Sequence, residues 1–265
     1  MIQIPNLDYI GFIIAILMLT ITAYMDIRTR EIDPRIWIPF IVIGIAFTSI
    51  KIYLGHLEPL YLALNMIAPL MIAILGIQGM IGFADFFALL AISLLITSPL
   101  DNSSVIPPSI IILLLTNLIV VIGSIIPFTV LNIKHYKYIK SICGSTIKTL
   151  IIIATSRVIS IEKYLSTSHY YPLVFPRQSK DNTIDSKNTI WECRTSFLID
   201  EEPEEYRKEF EYMATRKIID PKTRIAVAWG IPYIIFILIA TALYPLSAGI
   251  IENILRSAIS KIFIN

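Results

Sequence analysis

The sequence predicts an all-α polytopic membrane bundle of six transmembrane helices, with a small α+β cytoplasmic insertion before the last helix. Three observations predict it. Of 265 residues, 55% are hydrophobic and only 16% are charged, against about 25% charged in ordinary soluble domains. The apolar residues fall in long charge-free runs. Most of the charge is gathered in one later stretch, 134–224. One aqueous core cannot bury so much apolar surface, so a soluble single-domain protein is excluded. The composition is equally unlike a disordered, collagen-like or coiled-coil chain. A net charge of +2 without a basic stripe gives no footprint for nucleic acid. Cys143 and Cys193 lie far apart and, with three histidines, predict neither a disulfide framework nor a metal site. No cofactor is expected.

The elements follow from the charge-free runs. Tyr9–Met25, Ile36–Ile50, Asn102–Ile133 and Ile225–Ile251 carry no charge, and Pro59–Leu100 carries only Asp85. A spanning helix needs roughly 20 mostly apolar residues. Pro59–Leu100 is too long for one span. Gly76, Gly79 and Gly82 split it in two. The predicted spans are about 7–26, 34–54, 60–76, 80–97, 108–132 and 225–250. The first lacks the basic start and small-residue exit of a cleaved signal.

Lys and Arg in short loops set the orientation. Arg28, Arg30 and Arg35 follow the first span, and Lys134, Lys137 and Lys140 follow the fifth. Both loops are therefore expected in the cytoplasm, with both termini outside a plasma membrane.

Within the insertion, Ile147–Leu165 has apolar residues at helical spacing. Lys148 and Arg157 argue against a seventh span there. Tyr171–Phe175 and Thr189–Ile199 read as strands, Ser179–Asn188 as a polar loop, Pro203–Lys217 as a helix and Asp220–Lys222 as a turn. The predicted organisation is a five-helix membrane region (1–133), the insertion (134–224), and a last span with its tail (225–265).

Two aspartates carry the chemistry. Asp26 closes the first span at its inner end, and Asp85 sits early in the fourth. Alternating span directions put both near the same membrane face. An ionisable group inside a span is costly and a functional candidate by default. No basic residue near Asp85 in its span pairs with it. A second carboxyl sharing one proton is the simplest host, and such a pair performs general acid–base hydrolysis. The plainer readings are a solvated helix end or an Asp26–Arg30 pair at i, i+4, and for Asp85 proton or ion transport. Asp33 before Pro34 reads as a helix cap.

At Asp26-Ile27-Arg28-Thr29-Arg30-Glu31-Ile32-Asp33-Pro34 the sequence resembles the type IV prepilin peptidase family, most closely its archaeal preflagellin and prepilin branch of GxGD-type membrane aspartic proteases. The family's second motif, Gly-x-Gly-Asp, is met by Gly82-Phe83-Ala84-Asp85, with Ala84 in place of Gly. Trp229-Gly230-Ile231-Pro232-Tyr233 is similar to the family's Ile-Pro-Phe segment. The resemblance implies Asp26 and Asp85 as the catalytic pair of an aspartic endopeptidase, with Arg28, Arg30, Gly82 and Ala84 as motif support. The implied substrates are prepilin-like or prearchaellin-like precursors, cut after a short basic leader. A basic leader should seek carboxylates: Glu31, and Glu204 and Glu205 in the cluster with Glu201 and Glu202. Arg28 and Arg30 would repel it, and read as orientation anchors. The competing class is a non-enzymatic membrane assembly or proton-coupled transport protein using Asp85.

Overall fold

The computed structural model describes residues 6–29, 32–78, 81–100, 105–167, 170–177, 190–197, 201, 203–230 and 232–263. The chain divides into two compact units, residues 1–120 with 232–265, and residues 121–231.

The first unit holds helices α1 (Asn6–Thr29), α2 (Trp37–Tyr53), α3 (Pro59–Asn65), α4 (Ile67–Ile77), α5 (Phe83–Leu95) and α6 (Pro108–Val120). After the second unit the chain returns as its last helix, Tyr233–Phe263. Among the described residues, five helical stretches are long and apolar enough to cross a membrane: Leu7–Thr29, Pro34–Tyr53, Pro59–Ile77, Pro108–Cys143 and Tyr233–Ile254. By length and composition the chain is a multi-pass membrane protein. As expected, Asp33 caps the turn at Pro34–Ile36, its side chain accepting from the Arg35 N–H.

The fourth expected span differs. Its helix α5 has 13 residues, about 20 Å at 1.5 Å per residue, short of a hydrocarbon core of about 30 Å. The helix is short because its backbone turns extended at Gly82 and leaves helical geometry again at Ile96. Non-helical backbone at membrane depth is tolerated when protein, not lipid, surrounds it. That condition holds here. Ala88, Leu89, Ala91, Ile92 and Leu95 are fully buried, with α1, α2 and α4 packed around them. A β-carbon at Gly11 of α1 would collide with the Leu95 carbonyl, and one at Gly44 of α2 with the Leu94 side chain. These glycines let the helices close on α5.

The last carbonyls of α5, which lack helical partners, are capped by side chains. Thr48 Oγ1 donates to the Leu94 carbonyl at 3.0 Å. Asn65 Nδ2 donates to those of Ser93 at 2.8 Å and Ile96 at 3.1 Å.

The second unit begins in the helix that continues from Val120. It comprises α7 (Ile126–Asn132), α8 (Tyr136–Cys143), α9 (Thr146–Thr155), β1 (Ser156–Ser160), α10 (Ile161–Leu165), β2 (Tyr170–Pro172), β3 (Val174–Arg177), β4 (Ile190–Cys193), α11 (Pro203–Thr215) and β5 (Arg224–Trp229). The last helix of the chain is therefore α12. A three-stranded antiparallel sheet has the order β1-β5-β2, and β3 pairs with β4. β5 is buried on both faces. Ile225 and Val227 pack with Tyr164, Phe210 and Met213, while Ala226 and Ala228 pack with Ile139, Ile152 and Leu173.

Three expectations are corrected here. Residues 225–229 form a strand rather than the start of the last span, because each edge of β5 is taken by a partner strand. Ile147–Leu165 is not one helix. It breaks after Thr155, where Asn132 Nδ2 takes the Ile153 and Ser156 carbonyls, and Ser156–Ser160 pairs with β5. Cys143 and Cys193, expected to be unlinked, form a disulfide with Cα atoms 5.3 Å apart, tying α8 to β4. The helix Pro203–Thr215 and the turn at Asp220 agree with expectation, the latter closed by the Thr223 N–H on the Asp220 carbonyl. The polar loop expected at 179–188 lies outside the described residues.

Candidate active site

The Gly-x-x-Asp spacing explains how Asp85 is held. Gly82 is the N-cap of α5 and Asp85 its third helical residue. At that position a carboxyl reaches back to the cap backbone, and the Gly82 N–H donates to Asp85. The helix start also places the positive end of the α5 dipole beside the carboxylate. Asp85 is only 9% exposed. Ala84, next to it, packs against the core.

Asp26 lies in the last turn of α1 and is half-buried. α1 and α5 run in opposite directions, since Asp8 at the start of α1 meets the Ser98 backbone just beyond α5. The end of α1 thus lies beside the start of α5. The two carboxylates are close enough for the charge of Asp26 to act on Asp85.

Two further groups face this end of the bundle. Tyr233, the first residue of α12, is near enough for its hydroxyl to feel the Asp85 charge. The same hydroxyl donates to Asn117 Oδ1 of α6 at 3.2 Å. Sequence reasoning gave neither residue a role. Asn117 was visible as an amide midway along a charge-free run, and Tyr233 as the last residue of Trp229–Tyr233.

The other predicted residues are placed as follows. Arg28 is exposed, its guanidinium 5.4 Å from the centre of the Tyr24 ring. Glu204 and Glu205 are exposed on α11 in the second unit. Glu204 is paired with Arg207 at 2.7 Å. Glu201 accepts from Arg194 and from the Tyr206 hydroxyl. Burial holds that phenol above its ordinary value, with Arg194 opposing. Arg30, Glu31, Gly79 and Glu202 lie outside the described residues. No group of three or more His, Cys, Asp or Glu among the described residues is arranged to hold a metal.

A buried carboxyl at a glycine-capped helix start thus lies within electrostatic reach of a second carboxyl at the same end of a polytopic bundle. Residues 13–133 match the model of the type IV leader peptidase family, a stretch that contains Asp26, Asp85 and Asn117. The match supports a prepilin and preflagellin peptidase family assignment, which indicates a protease and implies pilin-like precursors in general. No curated protein matches the chain.

Proposed function

We propose that the protein is an aspartic endopeptidase that removes the short basic leader from type IV pilin-like or archaellin precursors at the cytoplasmic membrane face. Asp26 and Asp85 are its catalytic groups. The observation that carries this reading is their convergence from opposite ends of two antiparallel helices. Two carboxyls close enough to feel each other's charge are suited to work with one proton between them.

In that state one carboxylate takes a proton from water as the water oxygen adds to the scissile carbonyl carbon. The other carboxyl gives its proton to the carbonyl oxygen. Collapse of the tetrahedral diol breaks the C–N bond, the amine leaves with a proton, and the pair returns to one shared proton. The precursor's apolar helix stays in the bilayer while its leader junction meets the pair. Exposed carboxylates, Glu204 and Glu205 among them, attract the basic leader.

The test is processing of a prepilin and a prearchaellin in membranes carrying Asp26→Asn or Asp85→Asn. Both variants should leave precursor uncut at unchanged protein level. Cleavage by both variants overturns the reading, and cleavage combined with altered proton flux in Asp85→Asn points to the transport class.

A further inference from the structure

The second unit contains a cavity of about 250 Å³ that the peptidase reading does not use. Its lining includes Lys134, His135, Arg157, Lys163, Tyr170 and Leu131, and no carboxylate among the described residues. Arg224 adds a fourth cation beside the lining residue His135, its Nη1 lying 3.2 Å from His135 Nε2. None of these Lys and Arg side chains forms an ion pair among the described residues. Arg157 is held in place by neutral groups instead. Its guanidinium lies 5.7 Å from the centre of the Phe128 ring, and its Nη1 is 3.4 Å from the Tyr170 hydroxyl. Cations converging on one cleft without counter-charge repel one another and concentrate anions there.

One edge of the cleft is apolar. Leu131 belongs to α7, inside the span-length stretch Pro108–Cys143. Val130 is 67% exposed, and Ile126 and Ile133 are exposed along the same stretch. Helix faces of this kind suit acyl chains. The chain then changes from Ile133 to Lys134 within one residue, as expected where a helix leaves hydrocarbon for the headgroup layer.

We infer that this cleft binds the phosphodiester of an anionic phospholipid. Lys134, Arg157 and Lys163 would donate to the phosphate, and Leu131 with the α7 face would carry the lipid's chains. A soluble phosphate would use the same cations. The exposed apolar edge favours the lipid as the source.

The test uses the full chain in a neutral detergent and does not measure peptide cleavage. Native mass spectrometry would follow titration with dioctanoyl phosphatidylglycerol, dioctanoyl phosphatidylcholine and inorganic phosphate. Phosphatidylglycerol should bind saturably and phosphatidylcholine should not. Lys134→Gln and Lys163→Gln should each weaken binding about fivefold, and together about 25-fold, as expected for one charge contact apiece. Lys208→Gln on α11, outside the cleft, should leave binding unchanged. Equal binding of phosphatidylcholine, or unchanged affinity in the double variant with its melting temperature retained, overturns the inference. Displacement of the lipid by equimolar inorganic phosphate also overturns it, and assigns the cleft to a soluble anion.

Discussion

The two ends of the membrane bundle treat their carboxylates in opposite ways. Asp8 and Asp26 sit at either end of α1, 18 residues apart, about 27 Å along the axis. At the Asp8 end, Lys51 Nζ donates to Asp8 and to Thr97 Oγ1, and the Ser98 N–H adds a further donor. Buried Glu252 is likewise paired with Arg256 and accepts from the Val105 N–H. At the other end, buried Asp85 accepts from the Gly82 N–H and lies within electrostatic reach of the Tyr233 phenol and the Asp26 carboxylate. The first arrangement compensates charge as a stable fold requires. The second sets a buried carboxyl, Asp85, within reach of a second carboxylate's charge, an environment that clusters at functional sites. The helices are the same, and this difference is what supports our proposal that the Asp26–Asp85 end is the reactive one.

The largest expected effect is at that end. Asp85→Asn keeps an oxygen that accepts from the Gly82 N–H, and it removes the repulsion from Asp26. Melting temperature should hold or rise, while precursor cleavage falls by about a hundredfold to ten-thousandfold, the usual share of a general acid or base. Were Asp85 only a helix cap, Asn would be tolerated in both measurements. Retained cleavage therefore breaks the comparison.

The opposite end should respond in reverse. Lys51→Met leaves Asp8 without its cation in a site where the Lys51 side chain is 5% exposed. Breaking such a pair costs about 3–5 kcal/mol, to be read from unfolding in detergent. Adding Asp8→Asn should recover much of the loss, because the stranded charge disappears. Cleavage by the molecules that remain folded should be near normal. A stable Lys51→Met protein would show that this end is no structural clamp.

Much of this contrast was legible in the sequence, because a charge in an apolar run has few reasons to be there. Asp85 stood out on that ground, Asp26 as the residue closing the first apolar run, and the helix cap at Asp33 because Pro34 follows it. Five span-length helices were equally legible, since apolar length is what a bilayer demands. The short α5 was not, because its brevity depends on Asn65 and Thr48 reaching its carbonyls from distant segments. Nor was β5. A strand buried on both faces reads as a continuous apolar run, indistinguishable by periodicity from the start of a buried helix. The Cys143–Cys193 bond joins residues 50 positions apart, and only the fold brings α8 to β4. That bond weighs against the cytoplasmic placement expected for the insertion, because disulfides are rare in cytosol outside hyperthermophiles.

A smaller effect is expected at Tyr233. If its hydroxyl positions the pair together with Asn117, Tyr233→Phe should lower kcat/KM about fivefold, the worth of one hydrogen bond. Asn117→Ala should do the same. The double variant should lose no more than either single one, since both remove one bond. Additive losses, or a change confined to melting temperature, would make Tyr233 a packing residue and leave the functional end with two groups rather than four.

The smallest effect concerns the leader rather than the reaction. Glu204 is already paired with Arg207, so reversing it also places a cation beside a cation and disturbs α11 locally. Glu205 is the cleaner probe. Glu205→Lys should raise the KM for a precursor with a basic leader about two- to fivefold, the range of an exposed ion pair, with kcat unchanged. The effect should fade as salt approaches a Debye length of a few ångströms. A precursor whose leader has been neutralised should show no change at all. If KM at low salt is the same for Glu205→Lys and the unaltered protein, α11 takes no part in recognising the leader. Attraction then falls to the loop after α1, where Glu31 follows Asp26 by five residues, and recognition and hydrolysis would share one end of the bundle.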